Sequence, residues 1–135
     1  MRPVAKAWLR QSQADWEGAQ ASAGAGRYEW ACFQAQQCAE KALKAFLYQH
    51  GRTSILTQAL DDLVRECQRI DPTFAQVAEQ AHLLALFYIT TRYPNALGGH
   101  QAPADFFTAQ DAQRCLTAAF AILTFVQSKL PQEGA

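Results

Sequence analysis

Two side chains with the chemistry to act on a phosphodiester flank a glycine-rich turn: Arg92, in Thr91-Arg92-Tyr93-Pro94, and His100, which follows Gly98-Gly99. An arginine can hold the charge that builds on a phosphoryl oxygen while a histidine moves a proton, and together they would suit metal-free RNA cleavage. Both residues also have plainer uses. Arg92 can cap the last carbonyls of a helix that ends there, favoured by the helix dipole, and His100 beside a glycine pair can be an exposed loop residue.

The other chemical spacings exclude more than they suggest. Glu79-Gln80-Ala81-His82 has the Glu-x-x-His form that di-metal bundles repeat on two helices, but the chain holds one copy. His50 and His100 fall at a helix end and in a loop, so no metal site is expected. Gly24-Ala25-Gly26 follows a helical pattern instead of a strand, and Gly98-Gly99 lacks a third glycine, so neither is a phosphate loop or dinucleotide fingerprint. No cofactor is expected.

The elements that must position Arg92 and His100 belong to one domain, residues 1–135, because 135 residues, half of them hydrophobic, suffice for one core and not for two. Twelve basic and twelve acidic residues cancel, so no global field draws the chain to nucleic acid or to an anionic membrane. Cys32, Cys38, Cys67 and Cys115 show no ligand spacing and sit in helical patterns, which predicts reduced, mostly buried thiols and a cytoplasmic protein. The start has no signal-peptide core, and the longest uncharged run, Cys115 to Ser128, is shorter than the ~20 residues of a membrane span, so a soluble protein without membrane contact is expected.

Apolar periodicity predicts an all-α protein, an antiparallel up-and-down bundle of four to five helices. The first runs from Pro3 to about Ala23 with Val4, Trp8, Ser12, Trp16, Ala19 and Ala23 on one side, and the second from Tyr28 to Gly51. Thr57 can cap a third helix carrying Leu60, Leu63, Val64 and Cys67. Asp71-Pro72 opens a fourth with Phe74, Val77, Ala81, Leu84, Ala85 and Tyr88 inward. Pro94 closes it near Arg92, which falls in the same inward phase. Tyr93 to Phe107 reads as a long loop without helical period. Thr108 and Asp111 then cap a last helix to about Leu130, on which Ala118 and Phe125 lie off the core stripe, and residues 131–135 form a disordered tail.

The second helix is apolar on more sides than one core needs. Tyr28, Cys32, Ala35, Ala39, Leu43 and Phe46 form the core stripe, flanked by Ala31 and Ala42. The other side mixes Trp30, Phe33 and Tyr48 with Gln37, Glu40, Lys41 and Lys44, a combination expected at an interface with a second subunit or a partner. Its plainer reading is a solvated face laced by the i,i+4 pair Glu40 and Lys44.

Across nearly the whole chain the sequence resembles the HEPN family. The likeness rests on Gly26-Arg27-Tyr28 leading into Ala31, Phe33 and Gln36-Gln37, on Ala39-Glu40-Lys41-Ala42-Leu43-Lys44, on Gly51, on Thr91-Arg92-Tyr93-Pro94, and on Asp111-Ala112. The resemblance implies a bundle that pairs into a dimer, or a dimer of dimers, with a cleft between subunits. It also implies a partnership with a small nucleotidyltransferase in a toxin–antitoxin or nucleotide-handling pair. A phosphate-bearing ligand, nucleotide or RNA, would then be held near Arg92, Tyr93 and Asn95. Some relatives are metal-independent ribonucleases with an Arg-x4-6-His motif, and there Arg92 matches the arginine. Seven residues separate Arg92 from His100, one more than the motif spans. Asn95 stands where Asp often follows Arg-Tyr-Pro, and Thr57-Gln58-Ala59-Leu60 lacks the histidine that many relatives carry at the start of helix three. A structural oligomerisation module without catalysis is the third expectation.

Overall fold

A computed structural model describes residues 1–87 and 90–132; the inward position expected of Tyr88 and the end of the expected tail, 133–135, lie outside them. Among the described residues every regular element is helical. They are α1 (Pro3–Gly24), α2 (Tyr28–Gln49), α3 (Leu60–Ile70), α4 (Ala78–Ala85), a single turn α5 (Pro103–Phe106) and α6 (Ala109–Ser128). Two 3-10 segments, Pro72–Val77 and Pro94–Leu97, complete the set.

The second helix is the axis of the bundle: α1 runs along one side of it, α6 along another, and α3 and α4 close the remainder. Its alanines explain how it can be packed on so many sides, because Ala31, Ala35, Ala39, Ala42 and Ala45 are fully buried and let the neighbouring helices approach. Leu43, Phe46 and Leu47 then meet Leu63, Phe74, Leu84, Ile122 and Val126 in one core. Each such side chain contributes about 1.5–3 kcal/mol by leaving water. Ser12, the polar member of the α1 stripe, is buried because its hydroxyl donates to the Cys38 carbonyl at 2.7 Å, which satisfies it inside the α1–α2 contact. All four cysteines are free and buried.

The ends follow local chemistry. Gly51, at φ +88°, terminates α2, and the space a Cβ would take lies 3.6 Å from the Arg2 guanidinium. Thr108 and Asp111 form a complete capping box at the start of α6. Asp71 caps the 3-10 turn, and hydrogen bonds from the Thr73 hydroxyl and N–H, with Lys129 beside it, hold its carboxyl below the ordinary range.

Several expectations need correction. Val4 is exposed and its neighbour Ala5 is buried in its place, a small rotation of α1 about its axis. Thr57 does not cap α3; its hydroxyl accepts from the Ala59 N–H in a tight turn and the helix begins at Leu60. The expected fourth helix is two pieces, a 3-10 turn and then α4, which stops at Ala85, well short of Arg92. Beyond it, the hydroxyls of Thr90 and Thr91 donate to the carbonyls of Leu86 and Phe87 at 3.3 and 2.8 Å, side-chain competition for the acceptors a continuing helix uses. The loop from Tyr93 to Phe107 contains two helical turns, each started by a proline. On α6, Ala118 is buried and Phe125 packs edge-on against Phe74 at 4.9 Å, so neither is spare surface; the exposed aromatic is Phe120.

Candidate functional site

Tyr28 opens α2 directly after the Gly26 turn, which puts Glu29 and Trp30 in its first turn and Phe33 one turn further on. Glu29 and Phe33, four residues apart, share a face, and that face looks toward the segment that follows α4. There Thr91 is buried, with its hydroxyl on the Phe87 carbonyl, and Arg92 turns back toward α2. The Arg92 guanidinium lies 4.8 Å from the centre of the Phe33 ring and 5.2 Å from that of Tyr93. Such cation–π contacts use the flat faces of the guanidinium and leave its N–H edges for hydrogen bonding. Trp30 meets Phe33 edge to face at 5.7 Å and remains 50% exposed. On the far side α5 packs on α2 through buried Pro103, with Phe107 beneath it.

These residues enclose an open groove of about 540 Å³, lined by Glu29, Trp30, Phe33, Thr91, Arg92, Tyr93 and the turn Ala102–Pro103–Ala104. Its chemistry is mixed: one cation, one acid and three aromatic rings. Glu29 is only 7% exposed, and its carboxylate makes no hydrogen bond or ion pair among the described residues. Its place in the first turn of α2 suits a negative charge.

Of the residues expected around the ligand, Arg92 and Tyr93 line the groove and Asn95 does not. Asn95 is exposed in the 3-10 turn, where its carbonyl accepts from Gly98 N–H. His100 is exposed as well and is not among the described residues that line the groove. Gly98 and Gly99 both take positive φ, and the Gly99 N–H returns to the Pro94 carbonyl at 2.9 Å, so the chain between Arg92 and His100 closes into a turn of its own. The arginine and the histidine are therefore not brought together on one wall.

The set expected at an interface divides in two. Trp30 and Phe33 belong to the groove. Further along α2, α1 of the same chain covers the strip: Lys41 pairs with Asp15, Lys44 lies over the Trp8 ring at 5.3 Å, and Trp8 stacks on Tyr48 at 5.5 Å. Glu40 and Lys44, bonded to each other at 3.1 Å, are 5% and 6% exposed, so they are no solvated face and present no surface to a second subunit. Gln37 is half buried and donates to Gln36. The physical reason is Trp8 of α1, whose ring packs over Lys44 and Tyr48 and takes that strip out of water.

Comparison with known proteins decides the family. The HEPN domain matches residues 5–129. The chain belongs to the HEPN family. The crystal structure of TT1696 from Thermus thermophilus superposes with a TM-score of 0.86 at 37% identity, covering 96% of this chain and all of that one. The Methanocaldococcus jannaschii protein named "Putative toxin MJ1304" is 24% identical over 137 residues, spanning 96% of this chain and 90% of that protein. Human sacsin is 25% identical over 132 residues, 96% of this chain but 3% of sacsin, so the similarity concerns a small part of that protein. The all-helical bundle is thus the HEPN fold.

Glu29, Thr91 and Pro103 are the groove residues that sequence reading missed. For Glu29 a signal exists: an acid one turn before Phe33 and next to Trp30, at the start of the helix that bears most of the family likeness. For Pro103 there is none short of the fold, since its place depends on how the long loop returns to α2.

Proposed function

We propose that this HEPN protein is toxin-like and works as the partner module of a minimal nucleotidyltransferase, holding a phosphate-bearing ligand at Arg92. The observation that carries the reading is the convergence on one groove of Arg92, its supporting ring Phe33 and the exposed rings of Trp30 and Tyr93. A guanidinium fork suits phosphate oxygens, and exposed rings beside it suit bases. The name of the archaeal relative supports the toxin-like part. Exposed Trp30, Leu86, Tyr93 and Phe106 supply apolar surface of the kind expected where another chain, a second copy or the nucleotidyltransferase, sits. The protein should act in the cytoplasm, as its reduced thiols suit.

The test is calorimetric titration of the protein and of Arg92→Ala with inorganic phosphate and nucleoside monophosphates. Arg92-dependent binding supports the reading, and equal binding by the variant overturns it. Mixed RNA incubated in EDTA distinguishes a binding module from an endoribonuclease using Arg92 and His100. The binding module leaves the RNA intact; cleavage lost in both Arg92→Ala and His100→Ala would favour the enzyme.

A further inference from the structure

Between α4 and α6 lies a second groove, of about 470 Å³, that shares no lining residue with the one at Arg92. Its floor is aliphatic: Leu83 of α4 with Ala118 and Ala121 of α6. Gln80, Gln110, Gln113 and Arg114 surround that floor with amides and a single charge. Two of these groups lack a counterpart. The Gln80 side-chain oxygen, Oε1, is buried and accepts no hydrogen bond among the described residues. An acceptor stripped of water in this way costs free energy until a donor reaches it. Arg114 is exposed and makes no hydrogen bond or ion pair among the described residues. Asp111, one turn before it, is engaged by the Thr108 cap. Gln113, by contrast, already donates to the Thr117 hydroxyl at 3.2 Å.

A ligand that completes this groove brings an anion for Arg114, a donor for Gln80 and an aliphatic body for the floor. With one cation lining the groove, a monoanion balances the charge, whereas a phosphate group carries more than that. A guanidinium meets a carboxylate through two parallel N–H···O bonds. We propose that the α4–α6 groove binds a carboxylate bearing a neighbouring N–H and an aliphatic side chain, the chemistry shared by an N-acylated amino acid and the C-terminus of a peptide. Arg114 holds the carboxylate, Gln80 accepts from the N–H, and the side chain lies on Leu83, Ala118 and Ala121. Gln80 meets the ligand by turning its amide about the last side-chain bond, a soft torsion, which brings the stranded oxygen into the groove. A free amino acid fits less well, because its ammonium sets a second cation beside Arg114. The volume falls in the range of small-molecule sites.

Calorimetry tests this with N-acetyl-leucine, N-acetyl-leucinamide, isocaproate, free leucine and inorganic phosphate. The proteins are the parent, Gln80→Leu and Arg114→Gln, with circular dichroism confirming that each variant is folded. N-acetyl-leucine should bind the parent. The leucinamide, which lacks the charge, and isocaproate, which lacks the N–H, should each bind roughly tenfold more weakly. Arg114→Gln should erase the first difference and Gln80→Leu the second, and free leucine should bind no better than isocaproate. No binding of N-acetyl-leucine at millimolar concentration would overturn the proposal, as would affinities that neither substitution changes. Inorganic phosphate binding as tightly as N-acetyl-leucine would reduce Arg114 to an unselective anion contact and overturn it as well. A tetrapeptide ending in leucine identifies the source: tighter binding than N-acetyl-leucine assigns a peptide C-terminus, and equal or weaker binding assigns a free acylated amino acid.

Discussion

Arg92 and Phe33, from segments far apart in the sequence, meet as cation and ring at 4.8 Å, and this contact fixes the segment after α4 to the N-terminal half of α2. If Arg92 holds an anion as proposed, Phe33 acts on that site through Arg92. Phe33→Leu, which keeps an apolar side chain but removes the ring face, should weaken phosphate binding severalfold with little change in helicity. Arg92→Lys should lose roughly tenfold in spite of its retained charge, since an ammonium has no fork and stacks less well. Titration with inorganic phosphate checks both, and full affinity in Arg92→Lys would rule out a fork contact.

Trp30 offers a separate test of assembly. It is half exposed at the rim of the groove, on the part of α2 that α1 leaves open. If a second copy covers this surface, Trp30→Glu places a charge in an apolar contact and should shift the mass measured by light scattering to that of a single chain. An unchanged mass takes Trp30 out of the contact.

The buried thiols predict an alkaline limb of stability. Burial pushes Cys38 and Cys67 up to about 12 from an ordinary 9, in each case against a smaller lowering influence, and Cys115 is pushed up by its hydrogen bond with Cys32 and by burial. Between about 9 and about 12 the folded chain keeps protons that the unfolded chain releases. Stability from these groups is therefore complete below pH 9 and is lost as pH rises through that window. For Cys38 or Cys67 the loss should reach about 1 kcal/mol by pH 10. Urea unfolding at pH 8 and pH 10 checks it: Cys38→Ala and Cys67→Ala should each show a shallower fall than the parent.

How much of this was legible beforehand depends on what each residue needs. The α2 stripe from Cys32 to Phe46, the α6 capping box and the Gly51 stop are set by local period and local hydrogen bonds, and each lies where the pattern puts it. The family likeness likewise pointed to a HEPN bundle. Arg92 stands out in the sequence for an inward phase on a helix that in fact ends at Ala85. Its real setting, over Phe33 and near Glu29, depends on a tertiary return that no periodicity encodes. The Glu40–Lys44 spacing suits a solvated pair because i,i+4 rules describe an isolated helix, and they carry no information about Trp8 of α1.

That pair yields a sharp prediction. Glu40 and Lys44 are bonded at 3.1 Å beneath Trp8, and the second Glu40 oxygen, Oε1, has no hydrogen-bond partner. The desolvation of two charges is thus offset only in part, so the pair should contribute little net stability, whereas removing one member strands the other. Glu40→Leu or Lys44→Met alone should destabilise the fold by about 3 kcal/mol or more, while the double variant should recover most of that loss, because leucine and methionine fill similar volumes without charge. Chemical denaturation of the four proteins gives the coupling directly. If the double variant were as unstable as the sum of the singles, the cost would come from packing against Trp8 and not from a stranded charge.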